Sequence, residues 1–276
     1  KVTAPFSIPN GKYDVYRTYD PRIDVIKNNL ESVPAFTGKT KRKKPKGIPQ
    51  RDRVIRSKNT PDLSFYLSSV RNLEAISEYA DRVYFEMGDN SEEAEEICKS
   101  SNVEFVTILP RLDPSDTVLS SPVMVNTVGQ MHANRNAPKV YGNQNMNLFN
   151  SFYPDMMYQT VLSPELNRNE IRQVAEYYPG RLELMVFGRQ ELMLTRDPKI
   201  SKGMLEDPKG FRFPVYGDDD GTSRILNSAD LLLFDYLDEL QSMGFDSFGI
   251  DLRKRPEPLA RIVGEAFAKR DGSKKK

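Results

Sequence analysis

The sequence predicts an α/β protein built as a modified TIM-like (β/α) barrel with a short N-terminal extension. From Thr60 onward, short apolar strand-like runs alternate with runs of helical periodicity, and the strands begin about every 20 residues. Roughly eight strands of this kind favour a closed parallel barrel. An open doubly wound sheet is the alternative, but no glycine-rich phosphate-binding sequence follows the first strand.

The first half of the barrel is the most regular part of the pattern. The strand-like runs "LSFYLSS", "RVYFEM" and "VEFVTILP" alternate with the helical runs "VRNLEAISEYA" and "EEAEEICKSS". The connection from "VTILP" to the next strand is too short for a full helix. Further strands are predicted at "PVMVNTV", "KVYGNQNMNLF", "QTVLSP", "LELMVF" and "FDSFGID", and a hairpin turn rather than a calcium loop at "YGDDDGTSR".

Helix-start signals support the predicted helices between the strands. Asn90 with Glu93, and Asn167 with Glu170, have the spacing of capping boxes. The helix after Asn167 repeats apolar residues at helical spacing, and a second such run extends from residue 233 to 243, just before a glycine. Cys98 falls on the apolar face of its helix, which predicts a thiol packed in the core.

The composition argues against several classes of protein and of metal site. The chain has 276 residues, 38% of them hydrophobic and 29% charged, with a net charge of +1, which is typical of a globular protein. It contains neither an apolar run of membrane-spanning length nor a signal-peptide pattern, so we expect a cytoplasmic protein that does not enter a membrane. Cys98 and His132 are the only cysteine and histidine. They exclude an intrachain disulfide, a four-ligand Cys/His zinc site in one chain and a Cys/His-held iron–sulfur cluster.

We therefore expect no metal and no cofactor. A Ser-His-Asp arrangement would have to use His132. A homodimer stays open, and two copies of His132 and Cys98 could meet across its two-fold axis, although the predicted burial of Cys98 disfavours this metal site.

Three segments are predicted: an N-terminal extension with a basic linker (1–59), the barrel (60–268) and a disordered basic tail (269–276). Residues 39–58 are rich in lysine and arginine, and Asp52 is their only acidic residue. Such a segment is either a solvated linker or an arm that binds RNA phosphates.

Ionisable residues follow several predicted strands, where the chemistry of (β/α) barrels is found. As a set they predict a shared polar mouth, although each one alone could be a solvated loop charge. They are Arg111, His132, Glu165, Arg189, Asp251 and Arg253.

Asparagines alternate with other residues in "YGNQNMNLFNS". Period-two spacing would place Asn143, Asn145 and Asn147 on one face of a strand, where their amides could line the barrel lumen. An Asx-turn loop is the alternative, because asparagine is a poor strand former.

Five stretches in sequence resemble the collagenase-like peptidases of family U-32. They are "VYGNQNMNLFNS", "TVLSPELN", "LELMVFGRQELML", "FPVYGDDDGTSRILNSADLLLFDYLDEL" and "GFDSFGIDLR", and the similarity covers roughly residues 60–255. The resemblance implies a modified (β/α) barrel. Many members are assigned as peptidases, and several relatives act in oxygen-independent hydroxylation of RNA bases or of quinone precursors.

The sequence departs from the family pattern at the position of the family's cysteines. Family members usually have cysteines shortly after the strand matching "LELMVF", where this chain reads Gly188-Arg189-Gln190-Glu191-Leu192. Neither a thiol nucleophile nor a cysteine-held cluster can be carried over. Matching positions are nevertheless occupied by Glu165, Glu183, Arg189 and Asp251.

The first functional hypothesis is a peptidase or other hydrolase. Its catalytic residues would be Glu165 as general base or metal ligand, Arg189 as stabiliser of a developing oxyanion, and Asp251. Its ligand-binding residues would be Arg111, Asn145, Asn147, Glu183 and Arg253. The second is an RNA-modification factor or a non-catalytic partner barrel that docks RNA through residues 39–58. The third is a plain binding barrel for a small carboxylate, which two or three arginines around a polar rim would suit. Across the three hypotheses, the expected partners are a peptide or small carboxylate, or RNA.

Overall fold

The computed structural model describes residues 51–56, 59–112, 117–218 and 221–270. In chain order the strands are β1 (Asp62–Leu67), β2 (Arg82–Glu86), β3 (Glu104–Ile108), β4 (Val123–Val125), β5 (Val140–Gly142), β6 (Gln159–Val161), β7 (Leu182–Gly188), β8 (Glu191–Thr195), β9 (Gly203–Glu206), β10 (Arg212–Gly217), β11 (Ser223–Leu226), β12 (Leu231–Leu232) and β13 (Ser247–Asp251). The α-helices are α1 (Val70–Ile76), α2 (Ser91–Ser100), α3 (Val128–Ala133), α4 (Arg168–Tyr177), α5 (Leu237–Ser242) and α6 (Glu257–Arg270).

Eight parallel strands close into the predicted barrel. They run in the order β7-β13-β1-β2-β3-β4-β5-β6, and the pairing of β6 with β7 closes the ring. Each neighbouring pair is parallel. All eight carboxyl ends therefore open at one end of the barrel, which we call the C-terminal mouth.

The barrel departs from a regular (β/α) repeat in three places. The connection from β5 to β6 contains a 3-10 turn (Gln144–Met146) instead of an α-helix. The connection from β3 to β4 has no helix in its described residues, as its short length predicts. The connection from β7 to β13 carries an extra antiparallel sheet with the strand order β8-β11-β10-β9, which we call the inserted sheet. The sequence pattern did not reveal this sheet as a unit. Its β10–β11 hairpin is the one predicted at "YGDDDGTSR", and Asp218 N–H donates to the Thr222 carbonyl there over 2.8 Å.

Two layers of buried side chains hold the barrel. Alternate residues of each strand face the lumen, where tyrosines dominate: Tyr66, Tyr84 and Tyr141 are at most 1% exposed and pack with Ile108 and Met124. The opposite faces of the strands pack against the helices in a larger apolar cluster. Burial of both faces explains why the strands read as nearly continuous apolar runs.

Only one of the two predicted helix-capping boxes is present. Asn167 and Glu170 form the predicted capping box at the start of α4. The prediction at Asn90 is wrong, because its backbone (φ −94°, ψ 10°) is not extended and its side chain makes no capping hydrogen bond. The long apolar run before Gly244 forms a 3-10 turn (Phe234–Tyr236) followed by the short helix α5.

Cys98 is buried as predicted, and we expect it to be unreactive in the native protein. Burial, reinforced by Glu95, raises the pKa of its thiol to about 12, and the thiolate is the reactive form. A thiol reagent at pH 8 should label the native protein far more slowly than the urea-unfolded chain. Cys98→Ala should lower the free energy of unfolding by about 1–2 kcal/mol. Equal labelling rates in the native and unfolded states would contradict this placement.

Candidate ligand-binding site at the C-terminal mouth

A cavity of about 500 Å³ opens at the C-terminal mouth. Its walls come from the ends of β2, β3, β4, β5 and β13 and from the inserted sheet, and its lining is mostly polar. The lining includes Glu86, Arg111, Asn126, Asn145, Arg224 and Arg253. A volume of this size suits a small ligand.

One wall of the mouth cavity is a hydrogen-bonded cluster of amides. Asn126 Oδ1 accepts from the Nδ2 atoms of Asn143 and Asn145, each over 2.9 Å. Asn126 itself is fixed by its Nδ2 donating to the Leu109 carbonyl and by its backbone N–H donating to Gln130 Oε1. The amides are therefore held in place before any ligand arrives.

The predicted strand of alternating asparagines is wrong. Strand β5 ends at Gly142, and Asn143 starts a 3-10 turn by accepting from the Gln144 backbone N–H over 2.7 Å. Asn147 ends the turn in the left-handed conformation (φ 56°) and is exposed outside the cavity. The Asx-type turn prevailed because asparagine bonds its own backbone more readily than it joins a strand ladder. Asn143 and Asn145 still line the mouth cavity, and only Asn147 lies outside it.

The opposite wall is a network of ion pairs between the barrel and the inserted sheet. Arg224 of β11 contacts Glu86 at 2.5 Å and Asp218 at 2.6 Å. Arg253 contacts the same Glu86 at 3.2 Å, and Lys254 approaches Asp218 at 3.7 Å. Burial raises the pKa of the Glu86 carboxyl, but the charges of Arg253 and Arg224 outweigh it, so this pKa lies below its usual value. Glu86 is thus a bound counter-ion rather than a proton donor.

Arg111 differs from the other arginines of the cavity. Its side chain is 44% exposed, and among the described residues it has one carboxylate partner, Glu191, at 2.6 Å. Arg224 and Arg253 each hold two carboxylates and are much less exposed. Arg111 is therefore the arginine of this cavity that is best placed to receive a ligand from solvent.

The predicted catalytic residues do not meet in this cavity. Arg189 lies at the same end of the barrel but pairs with Asp230 at 3.0 Å. It lines a separate void of only about 30 Å³, together with Asp251. Asp251 is held by Arg253 at 2.6 Å. The absence of a side chain at Gly188 allows Asp251 to approach this strand end, because a Cβ atom at residue 188 would lie 2.6 Å from the Asp251 Cβ atom. Arg189 therefore connects the end of β7 to the segment before β12 through its ion pair with Asp230.

Two further predicted positions need correction. Glu165 follows β6 at the same end as Arg189 but is exposed and does not line the mouth cavity. His132 lies in α3 on the surface rather than at a strand end, because β4 stops at Val125.

Glu183 lies inside the lumen, so the expectation that it contacts a ligand at the mouth is wrong. It is 0% exposed. Its carboxyl accepts from the Tyr66 hydroxyl, from the Tyr84 hydroxyl at 3.0 Å and from Gln159 Nε2 at 2.9 Å. It also accepts from Ser247 Oγ at 2.5 Å. Burial, then the Glu183 charge, raise the pKa of both tyrosines well above its usual value, which keeps these hydroxyls protonated donors.

A second polar group, which the sequence analysis missed, lies at the opposite, N-terminal end of the barrel. The Arg82 side chain is 4% exposed and contacts Glu104 at 2.8 Å and Asp62 at 3.3 Å. Lys139 and the Tyr141 hydroxyl also bond Glu104. Alternating charges at the first residues of β1, β2 and β3 could have indicated this cluster, since parallel strands bring those residues side by side.

The basic linker is described only at residues 51–56, and residues 39–50, 57 and 58 lie outside the described part. Arg56 is not free for RNA. Its guanidinium donates to the carbonyls of Ala175, Tyr178 and Gly180 over 2.6–2.9 Å and pairs with Asp246 at 3.4 Å. RNA binding by the remaining basic residues stays a prediction.

Within the described ranges, no group of three or more His, Cys, Asp or Glu side chains is arranged to hold a metal ion. No helix in those ranges has both the length and the apolar character needed to cross a membrane.

No protein-family model matches the chain, and no curated protein matches it. Several solved structures are similar at low identity. The spore cortex-lytic enzyme SleL of Bacillus cereus is 8% identical, with a TM-score of 0.43, over 75% of this chain and 74% of that one. A mutant tryptophan synthase alpha-subunit from Pyrococcus furiosus is 11% identical, with a TM-score of 0.36, over 79% of this chain and 97% of that one. The assignment of the fold rests on the strand pairing described above.

Proposed function

We propose that the C-terminal mouth binds a small peptide through its free carboxylate. The observation that carries the proposal is the half-exposed guanidinium of Arg111, which faces a cavity of about 500 Å³ and has one carboxylate partner among the described residues. A guanidinium offers parallel N–H donors that match the two oxygens of a carboxylate. Arg111 can keep Glu191 on Nη1 and present its other N–H groups to the ligand.

The amide cluster supports a peptide rather than a simple anion. Gln144 and Asn145 line the same cavity as Arg111. Side-chain amides both donate and accept hydrogen bonds, so they complement the N–H and C=O groups of a peptide backbone. Because the Asn126 hydrogen bonds already fix Asn145, little side-chain freedom is lost on binding.

The geometry supports binding better than hydrolysis. Glu165, Arg189 and Asp251, the residues expected to be catalytic, do not line one cavity. Glu86, the carboxyl at the centre of the mouth network, is held by two arginines. Membership of the collagenase-like family and peptidase activity remain predictions from the sequence motifs. Mass spectrometry of a peptide incubated with the protein would reveal cleavage if the site is also hydrolytic.

Arg111→Ala should weaken binding of N-acetyl-Gly-Gly by about 1.5–3 kcal/mol, the range for a hydrogen bond to a charged group. Titration calorimetry at low salt would measure this loss. The C-terminal amide of the same peptide should bind weakly to the wild type and should be almost insensitive to the substitution. Arg135→Ala is the matched control, because Arg135 is exposed outside the cavity. Equal affinities of acid and amide for the wild type would refute carboxylate recognition.

A further inference from the structure

A second cavity, of about 570 Å³, lies beside the barrel between the ends of β6 and β7 and the helices α4 and α5. We call it the side cavity. In contrast to the mouth cavity, most of its lining is apolar. The lining includes Leu166, Ile171, Leu184, Met185, Leu233 and Met243.

The side cavity offers no unpaired charge to a ligand, because each of its charged lining residues already has a counter-ion. Glu239 is shared by Arg168 at 2.5 Å and Arg172 at 2.9 Å. Asp230 is shared by Arg189 at 3.0 Å and by Arg255. A charged ligand group would have to displace one of these pairs, whereas an uncharged apolar group needs only to leave water.

A hydrogen-bonded pair of amides connects the linings of the two cavities. Gln190 lines the side cavity, and Gln144 lines the mouth cavity. Gln190 Nε2 donates to Gln144 Oε1 over 3.0 Å. The Gln190 carbonyl accepts from the Asn227 backbone N–H over 2.8 Å, which fixes this boundary to the loop after the inserted sheet. The side chains of Gln144 and Gln190 therefore bring the polar lining of the mouth cavity next to the lining of the side cavity.

We propose that the side cavity receives a large apolar side chain of the ligand bound in the mouth, so that the site selects peptides with an apolar or aromatic residue next to the free carboxylate. This inference rests on the proposed peptide binding and names the ligand class more narrowly. Burial of a phenylalanine side chain should strengthen binding by about 10- to 100-fold relative to glycine at the same position.

Four peptides test the inference by titration calorimetry: N-acetyl-Gly-Phe, N-acetyl-Gly-Gly and the C-terminal amide of each. The contrast between acid and amide reports carboxylate recognition in the mouth, and the contrast between Phe and Gly reports the side cavity. We expect the Phe peptide to bind at least about 10-fold tighter than the Gly peptide within the acid pair and within the amide pair. Equal affinity of Phe and Gly peptides would overturn the inference, yet leave the proposed function standing if acids still exceed amides. Absence of binding by all four would refute both.

Two neighbouring leucines supply matched variants. Leu231 lines the side cavity, whereas Leu232 is 60% exposed and does not. Leu231→Asp places an unpaired carboxylate beside the apolar side chain and should reduce the preference for Phe to less than about threefold, because a charge in apolar surroundings is costly. Leu232→Asp adds the same charge at the next position and should keep the preference. Retention of the preference in Leu231→Asp, or its equal loss in both variants, would place the apolar side chain elsewhere.

Discussion

Replacement of Glu183 by alanine should lower the free energy of unfolding by about 4 kcal/mol. The substitution removes the one acceptor shared by Tyr66, Tyr84, Gln159 and Ser247, all of them at most 1% exposed. A buried donor left without a partner costs about 1–3 kcal/mol, and the lost side-chain volume leaves a cavity in the lumen. Since some of the orphaned groups can bond one another, the full sum of these costs is not expected.

Urea unfolding of the wild type, Glu183→Ala, Glu183→Gln and Glu165→Ala at pH 7 would measure this effect. Glu183→Gln keeps the volume and one acceptor oxygen, so it should cost less than alanine. Glu165 is exposed, and its replacement should change stability by less than about 0.5 kcal/mol. If Glu183→Ala were no more destabilising than Glu165→Ala, Glu183 could not lie in the lumen network.

The second large effect is expected at the N-terminal end of the barrel. Arg82→Met should lower the free energy of unfolding by about 3 kcal/mol, because it removes a buried cation that serves Asp62, Glu104 and Ser64. Lys139→Met is the control: Lys139 also contacts Glu104, at 2.6 Å, but its side chain is 35% exposed. Exposed pairs contribute less than about 1 kcal/mol. Similar losses in the two variants would contradict the structural role of Arg82.

The cost of Arg82→Met should depend on pH. Burial raises the pKa of the Glu104 carboxyl, but the Lys139 hydrogen bond and the Arg82 charge outweigh it, so this pKa is lowered in the folded protein. A carboxyl whose folded pKa is lowered contributes its stability above the unfolded pKa, about 4.3, and loses it as the pH falls through the folded value. The difference between wild type and Arg82→Met should therefore be largest near pH 7 and shrink below about pH 4.

The barrel could be predicted because its strands carry their own signal. Residues such as Leu63 and Phe65 are buried on the outer face of β1, while Tyr66 is buried in the lumen, so the strand reads as one apolar run bounded by turns. The inserted sheet lacked that signal. Its β9 strand is exposed at all four positions, and its β8 strand is exposed at Leu192 and Met193. Without a buried face, a strand has no reliable period.

The candidate site could be predicted only in outline. The rule that polar residues collect at the carboxyl ends of parallel strands correctly placed Arg111 and Arg253 on the mouth cavity. Asn145 also lines this cavity, but it lies in a 3-10 turn and not on the predicted strand. It could not distinguish Arg111 from Arg189, because the difference lies in their partners. Asp230 and Glu191 come from segments that the strand pattern does not position relative to the mouth. The lumen position of Glu183 was equally hidden, since a single acidic residue early in a strand does not reveal four donors on other strands.

The most direct test of carboxylate recognition at the mouth is the crystal structure of the protein bound to N-acetyl-Gly-Phe. We expect a carboxylate oxygen within about 3 Å of an Arg111 guanidinium nitrogen, the peptide backbone against Asn145, and the phenyl ring in the side cavity. A carboxylate bound by other residues, or a peptide seated away from the C-terminal mouth, would contradict the proposed function.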